Sequence, residues 1–347
     1  MAGYRVAVAG ATGAVGQEML SILQERSFPV RELRLLASKR SAGKTLSYGG
    51  DAIAVEELTQ RSFKGIDIAL FSAGADRSKA FAPAAARAGA VVVDNSSAFR
   101  MNPNVPLVVP EINPEDIRAH QGIIANPNCT TIIMLMGLYP LRSYGFKRIV
   151  MSSYQAVSGA GAWAIEELRR QVLEWSLHEL GKSFSGNSRP LVLRPEKFPH
   201  PIAFNLIPHI DQFQPGGYTK EEIKCLQETR KILHDPEVRV TATTVRVPVF
   251  RSHSVSVNLE TLRNLSPDKA RALIRRGKGV RLYDDPEKAR YPMPAMVAGK
   301  DDCLVGRIRQ DETTTNGLWL WVVGDQLRKG AALNAIQIAE HLAGKAA

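Results

Sequence analysis

The chain has 347 residues, of which 44% are hydrophobic and 23% are charged, and its length predicts two domains with ample apolar material for their cores. No apolar run approaches the roughly 18 residues that a membrane-spanning helix requires, and the first residues lack the basic and apolar regions of a signal peptide. The formal net charge is +11, but the basic residues are scattered, without long runs or interleaved aromatic residues, which argues against a nucleic-acid-binding protein.

The first 130 residues predict alternating strands and helices. Residues 4–13 predict a strand that runs into a glycine turn, and the next segment has helical spacing, with Met19, Ile22 and Leu23 on one side. Further strands are predicted at 33–38, 66–74 and 90–97, and an alanine-rich helix at 78–89. Because the strands are continuously apolar and helices lie between them, this part predicts a parallel, doubly wound α/β sheet.

Three glycines mark the first turn. Gly10, Gly13 and Gly16 have the spacing G-x-x-G-x-x-G, follow a strand and open a helix. In a dinucleotide-binding fold such glycines let the backbone approach a pyrophosphate, which the helix N-terminus then holds. Glycines are common in turns, but the strand–turn–helix context favours cofactor binding over a purely structural turn.

The end of the second strand indicates which cofactor is bound. NAD sites usually carry an acidic residue there for the ribose hydroxyls, whereas this chain reads ASKRSAGK, without an acid. Ser38, Lys39, Arg40 and Ser41 offer hydroxyls and cations that suit a 2′-phosphate. NADP is therefore the predicted cofactor, with a solvated basic loop as the alternative.

The second half of the chain changes character after Cys129. Its pattern predicts a mixed α+β unit without internal repeats or a low-complexity linker. Helices are predicted at 131–141, 162–180 and 324–343, strands at 148–161 and 253–261, the latter with period-two alternation, and a loop rich in Pro, Gly and Ser at 181–201. The apolar face of the final helix is expected to pack back on the first unit.

The three cysteines are Cys129, Cys225 and Cys303, an odd number with no two close in sequence, which favours a reducing cytoplasm over a disulfide framework or a zinc ribbon. Cys129 lies in ANPNCTT, where a predicted strand meets a helix. A helix N-terminus is expected to lower the pKa of its thiol, and a thiolate beside a nicotinamide attacks a carbonyl to give a thiohemiacetal that loses hydride. The alternative is a small buried core cysteine, which is how we interpret Cys225 and Cys303.

A thiol nucleophile needs a base, and the chain has seven histidines. His253 lies near Arg246 and Arg251 in VRVPVFRSHSVSVNLE, but spacing alone does not distinguish it from His209. His178 opens HELGK, which lacks the second histidine of a zinc-binding HExxH motif. No metal site is predicted.

Along essentially its whole length the chain resembles the aspartate-semialdehyde dehydrogenase family of the bacterial type. The matching segments, in this order, are VAVAGATGAVGQEML, DNSSAFR, VPEIN, ANPNCTT, YQAVSGAG, FNLIPHID, EEIK, VRVPVFRSHS and GDQLRKGAALNAIQIAE. The resemblance implies reduction of aspartyl phosphate with NADPH to aspartate semialdehyde, on the route to diaminopimelate, lysine, methionine, threonine and isoleucine.

The resemblance also implies an architecture like that of glyceraldehyde-phosphate dehydrogenase. An NADP-binding Rossmann-like domain is expected at 1–128, completed by the C-terminal helix 325–347, and a catalytic and dimerisation domain at 129–324. The implied protein is a cytoplasmic homodimer whose partners are small molecules, with no nucleic acid and no membrane among them.

The catalytic roles follow from the same resemblance. Cys129 is expected to be the nucleophile that carries the acyl thioester, and His253 the general acid/base. Gln155 would contact the substrate and orient the intermediate, with Asn128 beside the thiol.

Substrate and cofactor roles are implied as well. Arg246 would hold the substrate carboxylate and Glu221, chosen over Glu222 by its E-x-x-K spacing to Lys224, the ammonium. Lys224 and Arg100 would bind phosphate together with Asn128, and the cations Arg100, Lys224 and Arg246 are expected to attract the anionic ligands. The NADP site is expected at Gly10, Thr12, Gly13, Ala14, Val15, Ser38, Arg40, Ser41, Ser158, Gly159 and Gln326.

The roles implied for Arg246 and His253 conflict with a regular strand between them. Arg246 and His253 lie seven residues apart, so a continuous strand would point them to opposite faces. Because both roles require the same pocket, we expect Pro248 or a bulge to interrupt the strand between them.

Two other interpretations stay open. An N-acetyl-glutamyl-phosphate reductase shares the reaction type and the cysteine, but that family resembles NPGCY around the cysteine, whereas this chain reads NPNCTT. A catalytically silent NADP-binding protein on the same scaffold is the other alternative, because a fold does not fix a function.

Overall fold

The computed structural model describes residues 3–185 and 191–344 and contains two sheets. The first sheet has seven strands in the order β3-β4-β2-β1-β5-β6-β7. Its strands are β1 (Tyr4–Ala9), β2 (Val30–Ala37), β3 (Thr45–Tyr48), β4 (Asp51–Glu57), β5 (Ile68–Phe71), β6 (Val91–Asp94) and β7 (Ile123–Ala125). All neighbours are parallel except β3 and β4. The strand order reverses at β1, which opens a crevice at its carboxyl end.

Helices cover both faces of this sheet: α1 (Ala14–Glu25), α2 (Ala75–Arg87) and, from the far end of the chain, α8 (Leu333–Leu342). In β1, Val6 and Val8 join the core under α1 and α8, whereas Ala7 and Ala9 join the core on the opposite face. Both faces of β1 are thus buried, which is why its sequence is continuously apolar.

The second sheet has six strands in the order β11-β12-β13-β10-β8-β9 and is mixed. Its strands are β8 (Phe146–Gln155), β9 (Arg239–Arg246), β10 (His253–Thr261), β11 (Val280–Leu282), β12 (Cys303–Asp311) and β13 (Gly317–Gly324). Parallel pairing joins β8 to β9 and β11 to β12, and the other neighbours are antiparallel.

Helix α3 (Cys129–Leu138) packs on one face of the second sheet and is buried on all sides after its first residue. The remaining helices of this half are α4 (Ala162–Ser185), α5 (Lys220–Leu233), α6 (Pro267–Ile274) and α7 (Pro294–Val297). Within the described residues, no helix combines the length and the apolar character needed to cross a bilayer.

The predicted α/β class, the doubly wound first sheet and the mixed second unit are confirmed. The C-terminal apolar face does pack on the first core, through Leu333, Ile336 and Ile338. The prediction of one continuous helix at 324–343 was wrong for its first part. A turn leads into a π-helix at Arg328–Ala332, and α8 follows.

Three local predictions were incomplete. The β3–β4 hairpin was not predicted, although its two-residue loop, Gly49–Gly50, is a recognised hairpin signal and both glycines have positive φ (63° and 91°). The predicted loop at 181–201 was wrong for 181–185, where α4 continues; residues 186–190 lie outside the described part. The alternation predicted for β10 is not reflected in burial, because most side chains on both of its faces are covered.

Candidate active site

A cavity of about 370 Å³ lies where the two halves of the chain meet. It opens at the carboxyl ends of the parallel strands of the first sheet, where ligands bind in such folds. The sequence-predicted residues that line it are Val15, Arg100, Asn128, Cys129, Gln155, Ser158, Gly159, Glu221, Lys224, Arg246 and Gln326. Residues separated by up to about 300 positions in the chain are therefore brought to one place.

Cys129 is the first residue of α3. The preceding Asn128 caps the helix: its side-chain oxygen accepts hydrogen bonds from the backbone N–H groups of Thr130 (2.9 Å) and Thr131 (3.2 Å). The Cys129 Sγ lies 3.5 Å from His253 Nε2. Behind the cysteine, Gly330 of the π-helix packs so closely that a Cβ there would lie 3.0 Å from the Cys129 Cβ.

The expected lowering of the thiol pKa was wrong for the free protein. Burial, and then the charge of Glu221, raise the pKa of Cys129 to about 11, and Arg100, Thr130 and Arg246 offset this only in part. The Asn128 side chain already occupies two N–H groups of the first turn, so they are not free for a thiolate. The resting site holds a neutral thiol.

This raised pKa makes a pH prediction. Because the thiolate reacts and its fraction rises about tenfold per pH unit below the pKa, alkylation of Cys129 by iodoacetamide should accelerate steadily from pH 7 to pH 10. A plateau above pH 8 would contradict the raised pKa. The Cys129→Ala protein is the control and should stay unmodified, because Cys225 and Cys303 are fully buried and burial raises the pKa of each, for Cys303 to about 12.

His253 is fully buried, and its ring has a fixed orientation. The backbone N–H of Ala156 donates a hydrogen bond of 3.1 Å to Nδ1, which assigns the ring proton of the neutral imidazole to Nε2, the nitrogen that faces Cys129. Burial, and then the nearby charge of Arg246, hold the pKa of His253 well below its usual range. The imidazole is thus neutral and presents a donor to the sulfur.

The sheet topology explains why Gln155, Arg246 and His253 converge. β9 ends at Arg246 beside Gln155, the last residue of β8, and β10 starts at His253 on the other side of β8. The strand break expected between Arg246 and His253 is confirmed, since residues 247–252 form the connection over the end of β8 rather than a continuous strand. Gln155 and Arg246 therefore line the cavity side by side, and His253 lies next to them, buried against Cys129.

Arg246 is a buried cation, 6% exposed, and its Nη1 donates a hydrogen bond of 2.7 Å to the carbonyl of Ala156. Among the described residues, no carboxylate lies within ion-pair distance of it. Gly159 leaves room beside it: a Cβ on Gly159 would lie 3.1 Å from Arg246 Nη1 and 3.2 Å from His253 Cε1. A buried guanidinium with unused N–H groups facing a cavity suits a ligand carboxylate.

The other two predicted cations are already paired. Arg100 is buried and donates to Glu228 (3.0 Å), while Lys224 contacts Asp211 (2.7 Å) and Glu221 (3.2 Å). These pairs offset part of the charge of Arg100 and Lys224, because buried charges are stable only with partners. The attraction of anionic ligands by Arg100, Lys224 and Arg246 stays a prediction.

Glu221 and Glu222 have different surroundings. The Glu221 carboxylate lines the cavity and accepts from Asn128 Nδ2 (2.9 Å) and Gln155 Nε2 (3.4 Å). The Glu222 carboxylate is used in the α5 capping box with Thr219. Glu221 is thus the one of the two that can meet a ligand.

Sequence reasoning missed Glu228. It is 1% exposed, pairs with Arg100 and accepts from the backbone N–H of Asn128 (2.6 Å), so it connects the predicted phosphate ligand to the turn that carries Cys129. Burial raises its pKa despite the charge of Arg100. The available signal was its spacing of seven from Glu221, which puts both on one face of α5.

The glycine turn has the shape that a dinucleotide requires. Gly10 has φ 90°, and a Cβ on it would lie 2.3 Å from the Ser72 carbonyl oxygen; a Cβ on Gly16 would lie 2.3 Å from the Gly10 oxygen. Gly13 precedes α1 and leaves its first N–H groups accessible, without a side-chain cap. Thr12, Ala14 and Val15 are the adjoining positions. This cradle fits a pyrophosphate at a helix N-terminus.

The predicted 2′-phosphate loop follows β2 as a short 3-10 helix at Lys39–Ser41, preceded by Ser38. The β1 turn lies beside it, because the backbone N–H groups of Gly10 and Ala11 both donate to Leu36 of β2. The Arg40 side chain is exposed, so it is free to meet a phosphate.

Gln326 and Ser158, both predicted to contact the cofactor, contact each other through the Gln326 side-chain amide and the Ser158 hydroxyl. The Gln326 oxygen also accepts from the Ser252 N–H (2.7 Å). Elsewhere on the described surface, Glu115, Asp116 and His234 bring possible metal-ligand atoms within 4.8 Å of one another, away from the cavity. Surface acidic groups are common without an ion, and we assign no metal to them.

Two family models match the chain. A semialdehyde dehydrogenase NAD binding domain matches residues 5–120, and a semialdehyde dehydrogenase dimerisation domain matches residues 138–329. The aspartate-semialdehyde dehydrogenase of Aquifex aeolicus (strain VF5) is similar, with 54% identity over 344 residues that cover 98% of each chain.

Two solved structures illustrate the likeness in three dimensions. Aspartate semialdehyde dehydrogenase II from Vibrio cholerae, complexed with ASA, matches with a TM-score of 0.92 and 45% identity over 99% of this chain and 98% of that chain. Aspartate semialdehyde dehydrogenase with NADP from Candida albicans matches with a TM-score of 0.74 and 25% identity over 99% of each chain.

Proposed function

Because the chain belongs to the aspartate-semialdehyde dehydrogenase family of the bacterial type, we propose that it reduces L-aspartyl 4-phosphate to L-aspartate 4-semialdehyde with NADPH through a thioester on Cys129. At the coarser level, the chain is an oxidoreductase of amino-acid biosynthesis. The observation that carries the finer proposal is the 3.5 Å contact between Cys129 Sγ and His253 Nε2, beside the buried guanidinium of Arg246. The proposed pathways lead to lysine through diaminopimelate, and to methionine, threonine and isoleucine.

Oxidation of the aldehyde, the reverse of the proposed biosynthetic reaction, begins with addition of the Cys129 sulfur to the carbonyl. The neutral Cys129 thiol first loses its proton to solvent. The resulting thiolate attacks the aldehyde carbon, a C–S bond forms, and the carbonyl π electrons move to oxygen. The Nε2–H of His253 then donates a hydrogen bond to this oxygen, as the predicted acid. A basic role at the same nitrogen requires the ring proton to leave Nε2, so the Ala156 contact favours the donor state.

NADP, when bound, supplies the hydride acceptor in this direction and the hydride donor in the other. Loss of hydride from the thiohemiacetal leaves the thioester on Cys129. Attack by a phosphate oxygen on the thioester carbon breaks the C–S bond, releases aspartyl phosphate and regenerates the thiolate. Gln155 is proposed to orient the acyl group, and Arg100 and Lys224, with Asn128, to receive the phosphate.

The substrate has opposite charges, and the site has matching groups. Arg246 is proposed to bind the α-carboxylate through two parallel hydrogen bonds, and Glu221 the ammonium. The support for this division is that Arg246 has no carboxylate partner among the described residues, while Glu221 already holds Lys224, a cation (3.2 Å). In this arrangement residues 1–128 with 325–347 bind the cofactor, and 129–324 carry catalysis and dimerisation.

The function is tested by following phosphate-dependent reduction of NADP with L-aspartate 4-semialdehyde. Turnover with this aldehyde supports the proposal. Turnover with N-acetylglutamate semialdehyde alone would assign the chain to the related reductase chemistry, and inactivity with both aldehydes would leave a scaffold that binds cofactor without the reaction.

The preference for NADP leads to a second prediction. Removing the exposed guanidinium in Arg40→Ala should raise the KM for NADP about tenfold, the loss expected for one charge-assisted hydrogen bond to a phosphate, and leave the KM for NAD within about twofold. Steady-state kinetics with both cofactors measure this. Lys44→Ala, which removes another exposed cation from the same segment, is the control and should change neither value. Equal increases for NADP and NAD would contradict the 2′-phosphate role of Arg40.

We also propose a homodimer in which α4 contacts a second copy of the chain. Leu173, Leu177 and Leu180 share one face of α4 and are each more than half exposed, which is unusual for an isolated surface. The match to a dimerisation domain supports a second copy of the chain as the partner of α4. Sedimentation equilibrium should give a dimer for the parent and a monomer for Leu173→Glu/Leu177→Glu; a monomeric parent would contradict the proposal.

The proposed location is the cytoplasm. Cys129, Cys225 and Cys303 are free thiols, and a nucleophilic cysteine must stay reduced to react.

A further inference from the structure

The turn before His253 is held in an unusual backbone conformation. Ser252 has φ 79°, in the left-handed region that a residue with a side chain rarely adopts, and it is completely buried. Its hydroxyl has no hydrogen-bond partner among the described residues. Because Ser252 directly precedes His253, whatever holds this turn also sets the position of the imidazole.

Contacts of two adjacent residues, Arg251 and Ser252, hold the turn. The Ser252 N–H donates to Gln326 Oε1 (2.7 Å). The neighbouring Arg251 pairs with two carboxylates. Its Nε donates a hydrogen bond to Asp325 Oδ2 (2.5 Å), and its Nη2 lies 2.9 Å from Glu18 Oε2 as an ion pair without the alignment of a hydrogen bond. Asp325 and Gln326 are adjacent in the chain. One short segment therefore contacts both Arg251 and Ser252.

Asp325 is itself firmly fixed. It is fully buried, and its carboxylate accepts backbone hydrogen bonds from Gly299 (2.6 Å), Leu327 (2.9 Å) and Arg328 (3.2 Å). A carboxylate held by several N–H groups is a rigid anchor for a guanidinium. Arg251 is thus fixed at one end by the segment that leads into the π-helix.

On its other side, Arg251 contacts α1, the helix that packs on the first sheet. Glu18 belongs to α1, the helix whose N-terminus faces the proposed cofactor site, and it is also paired with Arg328 (3.0 Å). Arg328 further pairs with Glu25 of α1 and with Asp301 (2.6 Å). α1 therefore stays attached through Arg328 even without Arg251, whereas in the described part of the chain Arg251 supplies the ion pair that links the Ser252 turn to α1.

We propose that Arg251 is a positioning residue: by bridging Asp325 and Glu18, it holds the strained Ser252 turn so that the His253 imidazole and the cofactor helix keep one fixed spacing. This rests on the proposed function, in which Cys129, His253 and the nicotinamide must meet. Small displacements of a catalytic group are costly, because hydride transfer and carbonyl attack depend on sub-ångström geometry.

The test uses full-length Arg251→Gln and Glu18→Gln proteins and their combination. Arg251→Gln should lower kcat about 20-fold and leave the KM values for NADP and aldehyde within about threefold, because α1 and Arg246 remain in place. Glu18→Gln should lower kcat by a smaller factor. The double variant should be no slower than Arg251→Gln alone, since both changes remove the same Arg251–Glu18 ion pair. Arg251→Lys, which restores the charge, should recover part of kcat.

The matched control is Arg5→Gln, which removes an arginine–aspartate pair (Arg5 with Asp67, 2.8 Å) at the opposite, amino end of the parallel sheet. An equal loss of kcat in Arg5→Gln would overturn the proposal, as would multiplying effects in the double variant or a rise in KM with unchanged kcat.

Alkylation of Cys129 by iodoacetamide, measured in the same proteins, separates this proposal from the proposed function. Arg251→Gln should change the alkylation rate at least about threefold, since His253 Nε2–H contacts the sulfur, whereas Arg5→Gln should not. An unchanged rate would refute the positioning role even in an active enzyme. Inactivity of the parent with both aldehydes would instead refute the function and leave the alkylation result valid.

Discussion

Replacing Cys129 by alanine is expected to lower kcat/KM for aspartate semialdehyde by at least about 10⁵-fold, the scale found when a covalent nucleophile is removed. No other group can take its place, because Cys225 and Cys303 are fully buried and His253 is held neutral behind the sulfur. Phosphate-dependent NADP reduction measures the loss. Without phosphate, the parent should release one equivalent of NADPH per active site as the thioester accumulates, and Cys129→Ala none.

Cys225→Ala is the matched control for this prediction. Its thiol is buried in the core under α3 and α5, so the change should cost stability of about 1 to 2 kcal/mol but leave kcat within about twofold. Circular dichroism should show both variants folded. Residual turnover of Cys129→Ala above about 1% of the parent would remove the thioester from the mechanism.

Arg246→Lys is expected to raise the KM for aspartate semialdehyde and lower kcat/KM about 100-fold, with NADP affinity unchanged. The reason is geometric: a planar guanidinium offers two parallel N–H groups to a carboxylate, and an ammonium does not. A loss of one to two charge-assisted hydrogen bonds corresponds to about 3 kcal/mol. Burial lowers the pKa of Arg246, but the charge of Glu221 acts in the opposite direction, so the group stays a cation.

The control for Arg246→Lys is Arg239→Lys, at the exposed start of the same strand, which should change neither kcat nor KM. A second comparison varies the ligand. If Arg246 binds the α-carboxylate, an aldehyde without that group should react equally slowly with the parent and with Arg246→Lys. If Arg246→Lys reacted more slowly than the parent with this truncated aldehyde, the arginine would act on a group other than the α-carboxylate.

Parts of this site could be predicted from sequence because the signals are local. The glycine spacing at residues 10–16 dictates a close turn, and the seven-residue interval between Arg246 and His253 requires an interrupted strand, which the structure contains. The assignment of Cys129 as nucleophile came from the resemblance, and its role stays a prediction. Spacing alone did not separate His253 from His209; only the fold brings His253 to the sulfur.

The rest could not be predicted because it depends on partners from distant segments. The thiol pKa was expected to fall, since the helix N-terminus is visible in the sequence, but burial and Glu221 are not. In the same way, nothing local reveals that Arg100 meets Glu228, 128 residues away, or that Arg251 meets Glu18. Electrostatic predictions from sequence therefore fail where charges are compensated through tertiary contacts.

The return of α8 to the first core has a consequence for the order in which the chain matures on the ribosome. The core under α1 includes Leu333, Ile336 and Ile338, which are synthesised about 200 residues after the last strand of the first sheet. A nascent chain that has completed β7 still exposes the apolar surface that these side chains cover. The dinucleotide unit and Gly330 behind Cys129 are thus completed late, so the nucleophile gains its final surroundings only after nearly all of the described chain has emerged.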